Sequence, residues 1–337
     1  SWDLGDGYQV RTNIFYQKMR HWMSNTVMRN GGSTVMDAMY NRTEVEAGGI
    51  DLAGDMPLFD GVLTVGVNGD QSNHEANSAM TDTSTMNGGA GTGMEMSTNF
   101  FHNVERDRYS IFTEWTGNVA ADTELELGAR YTHTWSDAGE VSGGANMFGA
   151  TTMTDRMAFN AADRGRNFNF VDLVAVLRHS LSSSLDVEVG LGRKNRAPTY
   201  QELYLWTANK AVGGFADGNT YLGNLELEHE TAYQFDLGFD WHNENAYVAP
   251  RFFYHYVDNY IQGVNTAAAQ ASKVATGNSA GKAADLQWSN IAAQFYGVDL
   301  EAGYTITDNW RVDAGLNYVR GERVNSPTGD SDLYRIA

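Results

Sequence analysis

The sequence predicts an all-β fold, an antiparallel β-barrel that crosses a membrane, on three observations. Apolar and polar residues alternate with a period of two along most of the chain. The connections between alternating runs switch between short turns and long polar loops. Aromatic residues gather where the runs end. The composition agrees, with 36 glycines, only 4 prolines, 17 tyrosines and 8 tryptophans in 337 residues.

Eleven strands follow from the alternation, near 8–18, 43–54, 61–72, 107–118, 123–136, 168–180, 185–195, 230–242, 245–258, 293–305 and 310–322. Leu125, Leu127, Ala129 and Tyr131 share one parity, against Glu124, Glu126 and Arg130 on the other. Leu185, Val187, Val189 and Leu191 repeat the pattern, as do Val298, Leu300 and Ala302, and then Val312, Ala314 and Leu316. In the run at 230–242, Tyr233, Phe235, Leu237 and Phe239 are expected to face lipid, with Trp241 in a belt beside a short turn. Gln234, Asp236 and Asp240 are expected to face the barrel interior. Pro250 has no N–H for the ladder, so it should mark a bulge or a local break.

Short turns fall at 55–60, 119–122, 181–184, 243–244 and 306–309, and long polar loops at 19–42, 73–106, 137–167, 196–229 and 259–292. Structureless loops of about 30 residues are uncommon in a compact soluble domain. Short turns on one side and long loops on the other are what bacterial outer-membrane barrels have, with an apolar band outside and a polar lumen. Closing the sheet also pairs every backbone group in lipid. Trp241, Tyr304 and Trp310 lie at the short-turn side, and Trp135, Tyr256, Tyr260 and Tyr296 at the long-loop side, as two interfacial belts require. An odd strand count does not close an ordinary bacterial barrel, and SWDLGDGYQV has neither the basic nor the apolar region of a signal peptide. The sequence is therefore expected to be an internal piece of a longer protein.

The formal net charge of −19 disfavours nucleic acid, which is bound by basic patches. Without cysteine there is no disulfide framework and no thiolate zinc site. No run approaches the roughly 18 apolar residues of a transmembrane helix. GNSAG at 277–281 fits a nucleophile-elbow pattern but sits in an Ala/Gly-rich loop rather than a strand–turn–helix. His102 and Glu105 lack the second histidine of a zinc protease. No enzyme is expected.

Residues 196–203 read RAPTYQEL, and 215–230 read FADGNTYLGNLELEHE, followed directly by an aromatic strand. FFYHYVDNYI at 252–261 follows in turn, and the chain ends in LYRIA. This succession resembles the barrel of TonB-dependent outer-membrane receptors, most sharply over 193–264. The resembling positions are Arg196, Pro198 and Glu202, then Gly223, Asn224, Leu227 and Glu230. The resemblance implies a 22-stranded barrel, of which residues 1–337 hold about half, with the plug domain and TonB box outside this chain. It implies active transport coupled to TonB through that missing N-terminal region, in contact with outer-membrane lipid. On their own chemistry, Gly223 and Asn224 suit a turn at positive φ, and Arg196 and Glu202 are placed to pair at the loop base. These residues are expected to be structural rather than to touch substrate.

The substrate reading rests on 13 methionines, most of them in or next to the long loops. Thioether is a soft ligand suited to Cu(I), often with imidazole beside it. Met19, His21 and Met23 share one face if the first strand continues outward, and Met94 and Met96 share one side of an extended segment. The plain alternative is that methionines fill gaps between packed loops. The wording of the motifs is similar to the copper-receptor branch of the family, so uptake of copper is the leading expectation. A ferric siderophore or haem is the alternative, with Trp206, Trp288 and Arg166 as loop contacts, and a passive porin or outer-membrane enzyme is more distant. No resident cofactor is expected; the copper or iron complex is cargo.

Overall fold

The computed structural model describes residues 1–24, 37–82, 95–143, 150–207, 219–267, 286–325 and 331–333. The strands are β1 (Trp2–Gly5), β2 (Tyr8–Ser24), β3 (Asp37–Leu58), β4 (Gly61–Asp82), β5 (Glu95–Ala120), β6 (Thr123–Asp137), β7 (Arg166–Ser182), β8 (Leu185–Arg196), β9 (Tyr221–Leu222), β10 (Glu230–His242), β11 (Ala246–Val264), β12 (Leu286–Thr307) and β13 (Trp310–Arg323). Helix α1 (Ala150–Ala161) follows β6, and α2 (Tyr200–Tyr204) follows β8. Apart from β9, each strand pairs antiparallel with the next in one sheet, and β9 runs parallel to the start of β12. The sheet does not close on itself among the described residues.

Its two faces differ as the parity of β10 predicts. Phe235 stands in register with Leu191 and Tyr254, and all three are exposed. Asp236 is in register with Gly190 and Phe253, and its carboxylate meets His255 Nε2 at 3.4 Å. On the same face Arg178 donates to Glu188 at 2.7 Å and to Glu124 at 2.8 Å, and Arg251 donates to Asp240 at 2.9 Å. One face is thus an apolar and aromatic wall, the other a charged one. Large rings on both faces lie over cross-strand glycines: a Cβ on Gly49, on the polar face, would come within 2.7 Å of the Phe15 ring, and one on Gly69, on the apolar face, within 3.0 Å of Tyr109. The ring covers backbone that glycine leaves bare, and it pins the register.

Pro250 breaks pairing locally. The register of β10 with β11 is the same on either side, but the pairs expected at Phe239 and Asp240 are missing, while Pro250 stays in register with Leu300 of β12. The bulge itself falls further on, between Val257 and Tyr260, with Asn259 at φ 55°.

Three expectations need correction. First, the long connections are less structureless than predicted. β3 and β4 have 22 residues each and β5 has 26, where about 9–11 cross a bilayer. Much of 19–42 and 73–106 is therefore strand rising beyond the apolar band, while 137–167 and 196–229 contain α1, α2 and β9. Second, β1 and β9 were not predicted. Third, Tyr260 does not join the outer belt. The bulge just before it shifts the alternation, and its ring packs edge-on to Phe295, 5.3 Å away. The other predicted belt residues at the short-turn side, Trp241, Tyr304 and Trp310, are exposed on the sheet.

The buried core lies among the long loops. Leu203, Tyr204 and Leu205 of the β8–β10 connection pack with Phe100, Val104, Tyr221 and Leu286, all at most 2% exposed. None of the described helices is long and apolar enough to cross a membrane.

Candidate functional site

The β8–β10 connection is fastened by one guanidinium. Arg196, the last residue of β8, reaches Glu202 through Nη1 at 2.8 Å and Nη2 at 3.2 Å, and Glu230 through Nε at 2.7 Å and Nη2 at 2.8 Å. Planar guanidinium matches two carboxylates in this forked way. Glu202 also closes a capping box on α2: its carboxylate accepts from Thr199 N at 2.6 Å, and its N donates to Thr199 Oγ1 at 3.3 Å. Glu230 accepts from Ile261 N at 2.7 Å, which ties β10 to β11. A cavity of about 290 Å³ opens beside the cluster, lined by Arg196, Glu230, Tyr260 and Gln262 together with Ile261 and Trp288.

The second motif completes the fastening. Gly223 N donates to Leu205 O at 2.7 Å and Asn224 N to Glu202 O at 2.8 Å. The Asn224 side chain donates to Trp288 O at 3.0 Å and accepts from Glu226 N at 2.9 Å. Leu227 is buried in the loop core, and Pro198 O accepts from Arg106 of β5 at 2.9 Å. All seven motif positions therefore converge on one structural knot. The expected positive φ is not found at Gly223 or Asn224. Glycine is required at 223 for close approach instead, because a Cβ would lie 2.6 Å from Leu203 O and 2.7 Å from Leu205 N.

The knot lays α2 across the polar face of the neighbouring strands. Tyr200 stacks on His74 of β4 with ring centroids 4.3 Å apart and meets Phe101 edge-on at 5.0 Å. Tyr204 donates to Arg164 O at 3.1 Å, and burial pushes its hydroxyl up to about 12. Trp206 donates to Asn99 O at 3.1 Å. The contact between His74 and Tyr200 carried no sequence signal, since it joins residues far apart in the chain and His74 lies in a stretch without apolar alternation.

Among the predicted metal ligands, Met19, His21 and Met23 lie in β2, share one side of it and are all exposed. They stand in register with Val45, Thr43 and Asn41 of β3, and Val45 in turn with His74. This is the polar face, on which α2 rests. Met94 lies outside the described residues, as does GNSAG. Met96 is in β5, in register with Met80 of β4, and Met80 with Met39 of β3. Three methionines thus form one row across three strands, two residues along β3 from the partner of Met23. Trp206 and Trp288 are buried in the loop core, and Arg166 donates to Glu226 at 3.1 Å. His102 pairs with Glu75 at 3.2 Å.

A family model described as "TonB dependent receptor-like, beta-barrel" matches residues 1–336. No curated protein sequence matches the chain. Solved structures do. The structure titled "Copper transporter OprC" superposes with a TM-score of 0.69 at 20% identity, over 95% of this chain and 44% of that one. The ferric citrate transporter FecA gives 0.62 at 14% identity, over 98% and 43%. The ferric yersiniabactin uptake receptor FyuA from Yersinia pestis gives 0.59 at 14%, over 98% and 42%. The chain spans less than half the length of these structures, and identities this low speak for the fold alone.

Proposed function

Since the chain belongs to the TonB-dependent receptor β-barrel family, whose barrels sit in the outer membrane of Gram-negative bacteria, we propose that the whole receptor takes up copper as Cu(I). The family is one of transport receptors, not enzymes. In this reading Met19, His21 and Met23 capture the ion on the lumen side of β2, and the plug and TonB box, outside this chain, couple its passage to TonB. The observation that carries the reading is the alternation of two thioethers with one imidazole on a single exposed strand face. That donor set is soft and suits Cu(I) over harder cations. The methionine row at Met39, Met80 and Met96 supports it by register.

The test is uptake. Cells that depend on the full-length receptor for copper should lose copper-limited growth with His21→Ala and Met23→Ala together. The same replacement should leave growth on ferric chelates where it was. Rescue by a ferric siderophore or haem, with no response to copper, would establish the iron reading instead. Unchanged growth after Met94→Ala and Met96→Ala would remove that pair from the ligand set.

A further inference from the structure

The apolar face carries a groove of about 750 Å³ across β4 to β11, within the usual size of small-molecule sites, about 300–1,000 Å³. Two register rows build it. Leu127, Ala175, Leu191 and Phe235 form one, and Ala129, Leu173, Arg193 and Tyr233 the row above, toward the long loops. The small side chains of Ala129 and Ala175 make the floor, and Trp115 and Phe235 rise at its sides. Arg193 is the one charged residue among those lining the groove.

Its surroundings do not neutralise it. Lys18 and Arg20, on the same face, bond Glu44, and Arg320 bonds Glu322, each within 3.1 Å. Arg193 donates to a backbone carbonyl, Val171 O, at 2.7 Å, and none of the described ion pairs includes it. A guanidinium has five N–H donors, so most of its capacity is uncommitted. A rise of about 3.3 Å per residue and a tilt of about 40° put Arg193 roughly 20 Å above Leu185, in a band about 25 Å tall. That is the outer-leaflet interface, where a lipid phosphate lies.

We propose that this groove holds a phosphorylated glycolipid of the outer leaflet, one acyl chain over Ala129 and Ala175 and its phosphate on the Arg193 guanidinium. The hydroxyls of Tyr233 and Tyr256, in register beside Arg193, serve the headgroup sugars. The site is on the opposite face from Met19, His21 and Met23 and does not depend on the copper reading.

Native mass spectrometry of the full-length receptor in a non-ionic detergent, with lipid A added, tests the proposal. The wild type should retain lipid A and should lose it when dephosphorylated lipid A is supplied instead. Arg193→Gln should weaken retention by roughly tenfold or more, the worth of a charged hydrogen bond. Ala175→Phe should weaken it by filling the floor with the charge intact. Equal retention of the dephosphorylated lipid by the wild type, an arm that needs no variant, overturns the proposal. So does unchanged retention by a folded Arg193→Gln protein.

Discussion

His74 and Tyr200 stack with ring centroids 4.3 Å apart, and this contact closes the β8–β10 connection onto β4. His74 Nδ1 is buried without a hydrogen-bond partner among the described residues. Burial, and then the nearby Arg106 cation, hold the imidazole below its ordinary value. The stack therefore needs the neutral ring. Its contribution is present above the unfolded value, about 6.5, and is lost as pH falls through the depressed folded one. Hydrogen exchange at residues 198–206 should rise as the medium is acidified below about pH 6.5. His74→Phe should keep the stack and abolish that pH response.

Arg196 offers a second test. Glu202 and Glu230 side chains are each 11% exposed, while Arg196 is 41% exposed. Removing the guanidinium leaves two nearly buried carboxylates facing one another. Arg196→Ala should cost about 2–3 kcal/mol, somewhat less than a fully buried pair because solvent screens the open side. Urea unfolding and faster proteolysis of the β8–β10 connection would report it. Arg196→Lys should recover only part of the loss, since ammonium does not bridge two carboxylates in the forked geometry.

Gly223 should resist even alanine. The added Cβ would meet backbone of Leu203 and Leu205, which no side-chain rotation relieves. A cost of about 1–3 kcal/mol is expected from overpacking, with exchange rising at Leu203–Leu205 and unchanged at the β6–β7 ladder.

Adjacent residues of β10 should respond oppositely to the same charge. Phe235→Arg puts a cation on the lipid face at mid-height and should cost about 2–4 kcal/mol. Gln234→Arg faces the polar wall beside Gly192 and should cost less than about 1 kcal/mol. Refolding of the full-length receptor into lipid bilayers, followed by urea titration, measures both. Equal costs would mean the faces are assigned wrongly.

The faces of β10 were legible because one side meets lipid and the other water, so each residue type reports its side. The upper half of β4 was not, because Gln71 to Ser78 is polar apart from Ala76, so the alternation vanishes although the strand continues and His74, Ala76 and Ser78 turn inward under the loops. Tyr260 misled for a different reason: the bulge at Asp258 and Asn259 shifts the alternation, and no apolar pattern marks a bulge in advance. The knot at Arg196 was legible as a pairing with Glu202. That Glu230 shares the same guanidinium was not, since nothing local joins two residues on different strands. In the candidate site, Met19, His21 and Met23 needed only the strand to continue, whereas the row of Met39, Met80 and Met96 follows from hairpin register that the sequence does not state.

X-ray absorption at the copper edge of the full-length receptor loaded with Cu(I) tests the central claim most directly. The account predicts sulfur scatterers together with imidazole in the wild type, loss of the imidazole signal with His21→Ala, and loss of sulfur with Met19→Ala and Met23→Ala. A first shell of oxygen and nitrogen alone, or one unaltered by these replacements, would contradict it.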